Sequence, residues 1–306
     1  MEQNQNMPSH HGPKVRVDDI DYPNETIKLL LERGSSRSFL DRKIEPEILD
    51  FILRAGCHAP TGGNLQPYSI IKIEDELMRK NIAENAEQEF LAGATVLLLF
   101  CIDWCRLKRW AELEAAPFTA TASFRHFWIS FQDVMICAQN ICTAADSFGL
   151  GSVYIGTVID FIEWLREKLD LPPGVFPVVL LALGYPKINP LSRKKLPTSV
   201  VVYNEKYRLM SDEEILRAFK EKYSGHKTEI TEENINTIEE VCREVHGEEF
   251  AKQCIEKIKE NGFISQVQRY FGLHYTANEM PLGNENYLKM FEEAGFSWFK
   301  DFKPEN

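Results

Sequence analysis

The sequence predicts an α+β fold with an appended helical region. Two near-continuous apolar runs, Thr95–Ile102 and Phe176–Leu183, have the pattern of strands buried on both faces. Helical spacings lie between and around them, the longest from Phe124 to Phe148. Beyond Tyr207 the chain turns to acidic, amphipathic helical patterns without strand signals.

The bulk numbers bound the class. A chain of 306 residues, 44% hydrophobic and 26% charged, is globular and can bury a core without disulfides. It allows one large domain or a domain with an appendage. No apolar run reaches the ~18 residues of a membrane span, and the longest, Val96–Ile102, is strand length. Met1 to Pro13 is polar without an apolar stretch, so residues 1–20 read as a disordered leader and not as a secretory signal. Seven scattered cysteines (Cys57, Cys101, Cys105, Cys137, Cys142, Cys242 and Cys254) fit the reducing cytoplasm. Cys101 and Cys105 lack a matching Cys/His pair and read as small buried side chains, not metal ligands. The net charge of −11 argues against nucleic acid as a partner. Residues 211–306 carry 12 Lys+Arg against 20 Asp+Glu, so the acidity concentrates there.

In order along the chain, Pro23–Glu32 is a short helix stopped by Gly34. If Arg33-Gly34-Ser35-Ser36-Arg37 is extended, Arg33, Ser35 and Arg37 share a face and suit a phosphate; basic residues at a helix end also complement its dipole. Glu45–Cys57 is a second helix, with Pro46 at its start and Ile48, Phe51, Ile52 and Ala55 inward. It delivers the chain to Ala59-Pro60-Thr61-Gly62-Gly63-Asn64-Leu65-Gln66-Pro67-Tyr68. Adjacent glycines let something flat approach the backbone, and Thr61, Asn64 and Gln66 offer hydrogen-bonding groups; a capped helix-to-strand turn explains the same residues. Tyr68–Ile73 is a strand, and Asp75–Leu91 is helical and contains Gln88.

The Phe124–Phe148 helix is apolar around much of its circumference, as a central or subunit-shared helix would be. Gly149 stops it, and a short strand ends at Gly156. The order helix–Gly–strand is the reverse of a dinucleotide fingerprint, although the backbone at Tyr154–Gly156 could still lie close to a ring. Asp160 caps a helix running to Leu169, and Pro172-Pro173-Gly174 ends it. A basic loop, Arg193-Lys194-Lys195-Leu196-Pro197, leads to a last strand, Val200–Tyr203. Helices then read at Ser211–Tyr223, Thr231–Val245, Glu248–Glu260, Gln266–Phe271 and Asn286–Glu293, with Ile215, Phe219, Ile238, Val241, Phe250, Ile255 and Ile258 as their apolar positions.

Four of these stretches, in this order, resemble the flavin-dependent nitroreductase family: Arg33–Phe39, Ala59–Tyr68, Gly149–Gly156 and Arg193–Pro197. Phe100-Cys101-Ile102-Asp103, with Gln88 fifteen residues before the aspartate, adds to the likeness with the nitroreductase and flavin reductase branch. The resemblance spans Thr26–Tyr207. It departs at Gly34, often basic in the family, at Tyr68 for Trp, and in the order of Arg193 and Lys195.

The resemblance implies an α-β-α sandwich with a mixed, mainly antiparallel sheet over 21–210, and FMN bound at a homodimer interface. Arg33, Ser35, Arg37, Arg193 and Lys195 would hold its phosphate and ribityl end. Thr61, Asn64 and Gln88 would contact ribityl or ring atoms, with Tyr154, Ile155 and Gly156 against the ring. The Phe124–Phe148 helix would form the dimer core. The implied activity is ping-pong electron transfer from NADPH or NADH to a nitroaromatic, quinone or flavin acceptor, without a catalytic side chain; His58 reads as structural. Reductive dehalogenation, flavin destruction and flavin binding without turnover are the alternatives. Residues 211–306 lie largely outside the resemblance; they would wrap the partner subunit, lid the pocket with Phe263, Tyr270, Phe271, Tyr275 and Phe296, or serve only as a solubilising appendage.

Overall fold

The two apolar runs form the two central strands of a four-stranded sheet. The computed structural model describes residues 21–303, and the expected leader at 1–20 lies outside the described residues. The strands are β1 (Tyr68–Ile73), β2 (Val96–Asp103), β3 (Gly151–Ile155) and β4 (Val175–Gly184), in the order β1-β2-β4-β3. The three ladders are antiparallel, and parallel pairing is confined to an isolated bridge between Ser35 and Ser152. Every residue of β2 is buried, and all of β4 but Val178. A register shift beside Phe100 lets Pro177 sit in a central strand, where its missing N–H would otherwise interrupt the ladder.

Helices α1 (Glu25–Glu32), α2 (Pro46–Cys57), α3 (Glu76–Asn85), α4 (Cys105–Leu113), α5 (Phe124–Ser147) and α6 (Ile162–Lys168) complete the α+β fold. Alternation along β2 divides the core in two. Leu98, Phe100 and Ile102 pack with Ile52 of α2 and Val134, Ala138 and Ile141 of α5. Leu97, Leu99 and Cys101 pack on the other face with Ile82 of α3 and Leu165 of α6. The segment before α2 is held by Glu45, which accepts from Tyr185 Oη at 2.6 Å and from Arg42 Nη2 at 2.9 Å.

Several local expectations need correction. Phe51 is 58% exposed, and Leu49 takes the inward position instead. The helix α3 stops at Asn85, where Glu87 takes a left-handed φ of 52°, so Gln88 lies beyond it in the next turn. Asp160 sits inside a short turn, Thr157–Phe161, and makes no cap for α6. Helix α4 has no counterpart among the elements expected from the sequence.

The described residues divide into two compact units, 21–192 with 285–303, and 193–284. The second unit contains α7 (Thr198–Val201), α8 (Asp212–Lys222), α9 (Glu232–His246), α10 (Glu248–Asn261) and α11 (Gln266–Arg269). The expected strand Val200–Tyr203 is therefore replaced by one helical turn and a coil. Helices α9 and α10 enclose a small core of Ile238, Ile255, Ile258 and Ile264. Ile215, Phe219 and Phe250 remain 41%, 45% and 44% exposed.

Helix α12 (Asn284–Glu293) and the residues after it belong with the sheet unit. Phe291 stacks on Phe176 at 4.2 Å, and Trp298 stacks on Phe127 of α5 at 5.2 Å. Phe296 is 1% exposed in the core, so it is no part of a lid. Among the described residues no helix is long and apolar enough to cross a membrane.

Candidate functional site

The Gly-Gly-Asn loop has an unusual backbone. Gly63, Asn64 and Gln66 all have left-handed φ values, 60°, 54° and 48°. For Asn64 and Gln66 this conformation costs roughly 1–2 kcal/mol each, so other contacts must hold it. Asp133 of α5 accepts from the Gly62 N–H at 3.0 Å through Oδ1 and 3.2 Å through Oδ2. Burial pushes the Asp133 carboxyl above its usual range, against the pull of that N–H. Thr61 Oγ1 accepts from the Gln66 N–H at 3.2 Å, and Gln66 Nε2 donates to the Cys57 carbonyl at 3.0 Å. Arg106 Nη2 donates to the carbonyls of Gln66 and Tyr68 at 2.9 and 3.0 Å. The loop exposes Gly62, Gly63 and Asn64 to solvent.

A second cluster lies along the β3 edge of the sheet. The Ser36 N–H donates to the Ser152 carbonyl at 2.9 Å, which lays Arg33–Arg37 beside β3. Alternation then buries Ser36 and exposes both Ser35 and Arg37. A Cβ on Gly151 would stand 2.6 Å from Ser36 Cβ, so the close approach requires glycine there. Arg33 faces inward instead. Its Nε donates to Asp146 at 3.0 Å, and its Nη2 lies 3.0 Å from both Cys142 Sγ and Ser152 Oγ. Burial lifts the Asp146 carboxyl despite the guanidinium beside it.

The end of β3 is open. Ile155 is 3% exposed and its side chain belongs to the core, so only its backbone can meet a ligand. Tyr154 is half-buried, and burial raises its phenol pKa. Gly156 is exposed with φ −83°, and a Cβ there would meet nothing within 4 Å. Neither backbone nor internal packing requires glycine at this position. Gln88 joins this edge by donating to Thr157 Oγ1 at 3.3 Å.

The nitroreductase family model matches residues 30–185. The chain belongs to the nitroreductase family. It is an oxidoreductase by that membership. It is 32% identical to the oxygen-insensitive NADPH nitroreductase of Salmonella typhimurium, over 66% of this chain and 82% of that one. It is 33% identical to the FMN reductase [NAD(P)H] of Bacillus subtilis, over 68% and 85%. Among solved structures, the NADPH:FMN oxidoreductase from Vibrio harveyi complexed with NAD+ superposes with a TM-score of 0.65 at 25% identity, covering 90% of this chain and 99% of that one.

The expected cofactor-binding residues fall into separate groups. Ser35, Arg37, Gln88 and Tyr154–Gly156 gather along the β3 edge, while Arg33 is engaged inside it. Thr61 and Asn64 precede β1, at the opposite edge of the sheet. Arg193 and Lys195 open the second unit; Arg193 is half-buried, with its pKa depressed by burial, and Lys195 is exposed. Gly34 has an internal reason, because a Cβ there would stand 2.6 Å from the Leu191 carbonyl oxygen. Asp133, Asp146 and Arg106 were missed. Asp133 had a signal, a charge on the inward stripe of α5 between Ser130 and Cys137; Arg106 had none.

Proposed function

We propose that this chain is an FMN-dependent oxidoreductase that passes electrons from NADPH or NADH to nitroaromatic, quinone or flavin acceptors in a ping-pong cycle. One observation carries the reading: exposed Ser35 and Arg37 flank the strand that ends in the bare, open backbone of Gly156. A hydroxyl and a guanidinium suit a phosphate, and a backbone without a side chain suits a flat ring. The residues present therefore fit FMN. When bound, it would supply the reversible two-electron chemistry between donor and acceptor. The chain's own residues bind and orient. Ser35 and Arg37 would hold the phosphate. Gln88 and the backbone at Tyr154–Gly156 would face the ring, and no side chain is assigned to acid–base chemistry.

The two sheet edges favour a homodimer. They are three strand spacings apart, roughly 14 Å, so Thr61 and Asn64 do not share an edge with Gly156 in one chain. A second copy would bring its own loop to the first chain's β3 edge. Phe124, Trp128 and Phe131 of α5 are 52%, 55% and 43% exposed and offer an apolar face for that pairing. Seven free thiols suit the cytoplasm.

The test is direct. FMN is added to the purified chain, and the visible spectrum is followed anaerobically. NADPH or NADH should bleach the bound flavin, and a nitroaromatic or quinone should restore its colour. A chain that takes up no FMN would overturn the proposal. Bound flavin that bleaches only with dithionite would leave a carrier instead of an enzyme.

A further inference from the structure

We propose that Arg106 is a positioning residue that holds the Gly-Gly-Asn loop in its ligand-ready shape before any ligand arrives. Its purpose toward FMN rests on the flavin reading above; the brace itself does not.

Asn64 and Gln66 are left-handed non-glycine residues two positions apart, with Gly63 left-handed before them. Such a stretch relaxes unless its surroundings over-determine it. At its entrance, Asp133 fixes the Gly62 N–H. At its exit, the Pro67 carbonyl accepts from the Asp103 N–H at 2.9 Å. The strained Gln66 itself lies between these points. Its carbonyl accepts from Arg106 Nη2, which also reaches the Tyr68 carbonyl beyond the proline.

Arg106 can bridge both carbonyls because it is itself fixed. It stands in the first turn of α4, where Asp103 Oδ1 accepts its backbone N–H at 3.1 Å. Asp103 Oδ2 accepts from its Nη1 at 3.3 Å, and Ser69 Oγ lies 3.2 Å from the same nitrogen. Ser69 in turn donates to Asp103 Oδ2. Asp103 is 6% exposed, so its carboxylate faces these partners and little water. The planar fork of a guanidinium serves two carbonyls and a carboxylate together; the single ammonium of lysine cannot match that geometry. The result is a chain of contacts from β2 through α4 to the loop. Holding the loop in advance removes the ordering cost from ligand binding.

The experiment compares wild-type protein, Arg106→Ala and Arg106→Lys as full chains freed of FMN. Amide hydrogen exchange is read at Gln66 and Tyr68, whose N–H groups close the loop onto Thr61 Oγ1 and the Gln66 carbonyl. FMN affinity is read by flavin fluorescence. Arg106→Ala should accelerate exchange at those two amides while leaving the β2 amides of 96–102 unchanged, and should weaken FMN binding roughly tenfold. Arg106→Lys should fall between, and it serves as the variant of record if the alanine chain does not fold. Unchanged exchange at Gln66 and Tyr68 in the folded variants overturns the brace. Faster exchange with unchanged FMN affinity overturns its positioning role. If wild-type protein takes up no FMN, the flavin reading and the positioning role both fail, while the exchange result still decides the brace.

Discussion

The loop at 59–68 and the C-terminal segment at 285–303 both lean on α5, and they do so by different physics. The loop meets the helix through a carboxylate, Asp133, that accepts one backbone N–H. The C-terminal segment meets it through rings, with Trp298 against Phe124 and Phe127. Polar contacts fix direction to within a few tenths of an ångström and contribute modest net free energy. Aromatic burial contributes more and tolerates more slack. The difference teaches which segment anchors and which is shaped. A segment that must present a particular backbone to a ligand uses the first means; a segment that must only stay closed uses the second.

The largest expected effect comes from removing the anchor. Phe296 is fully enclosed among Phe176, Phe291 and the core. Phe296→Ala should lower unfolding stability by about 3–5 kcal/mol, since it deletes a buried ring and leaves a cavity. Urea denaturation measures it. The comparison predicts that amide exchange within 59–68 stays as it was in the folded fraction. A loss below about 1 kcal/mol would mean that the segment closes by other contacts.

A smaller and more local effect should follow at the loop. A Cβ on Gly62 would stand 2.6 Å from Ile129 Cγ2 of α5. Ile129 is β-branched on a helix and has little rotamer freedom with which to yield. Gly62→Ala should therefore displace the loop and cost about 1–3 kcal/mol. Flavin affinity should fall by more than the change in stability alone accounts for. If affinity is unchanged while stability drops, the loop shapes the fold and not the ligand site.

The same contrast marks what was legible in the sequence. Strands β2 and β4 stood out because burial on both faces leaves an unbroken apolar run, and α5 because its inward stripe repeats over 24 residues. The bend of the loop was visible in Gly62 and Gly63. The grip of Arg106 was not, because it serves backbone carbonyls, and a carbonyl leaves no mark on the sequence that reports its partner. The partner of Arg33 was not legible either, because Asp146 lies 113 positions away. Three β-branched valines at 200–202 suit the expected strand Val200–Tyr203, yet the chain forms a turn of helix over Thr198–Val201. Phe296 and Trp298 showed plainly as aromatic. Nothing local distinguishes a ring that lids a pocket from one that returns to a core over a hundred residues earlier.

The smallest effect separates the two means by pH. Asp133 is 4% exposed, and burial raises its folded pKa above the unfolded value. A carboxyl raised in this way contributes most below its unfolded pKa, about 4, and that contribution is lost as pH rises through the folded value. At neutral pH the ionised carboxylate is therefore a cost that the loop contact carries. Asp133→Asn keeps an oxygen for the Gly62 N–H and removes the charge. The variant should match or slightly exceed wild type in Tm at pH 7, and its advantage should shrink as pH falls and vanish below the ordinary carboxylate range. The Phe296→Ala deficit should stay level across the same scan, because the contacts it removes are between rings that do not titrate. A variant less stable than wild type at pH 7 would show that the negative charge itself, and not merely an acceptor oxygen, holds the loop to α5.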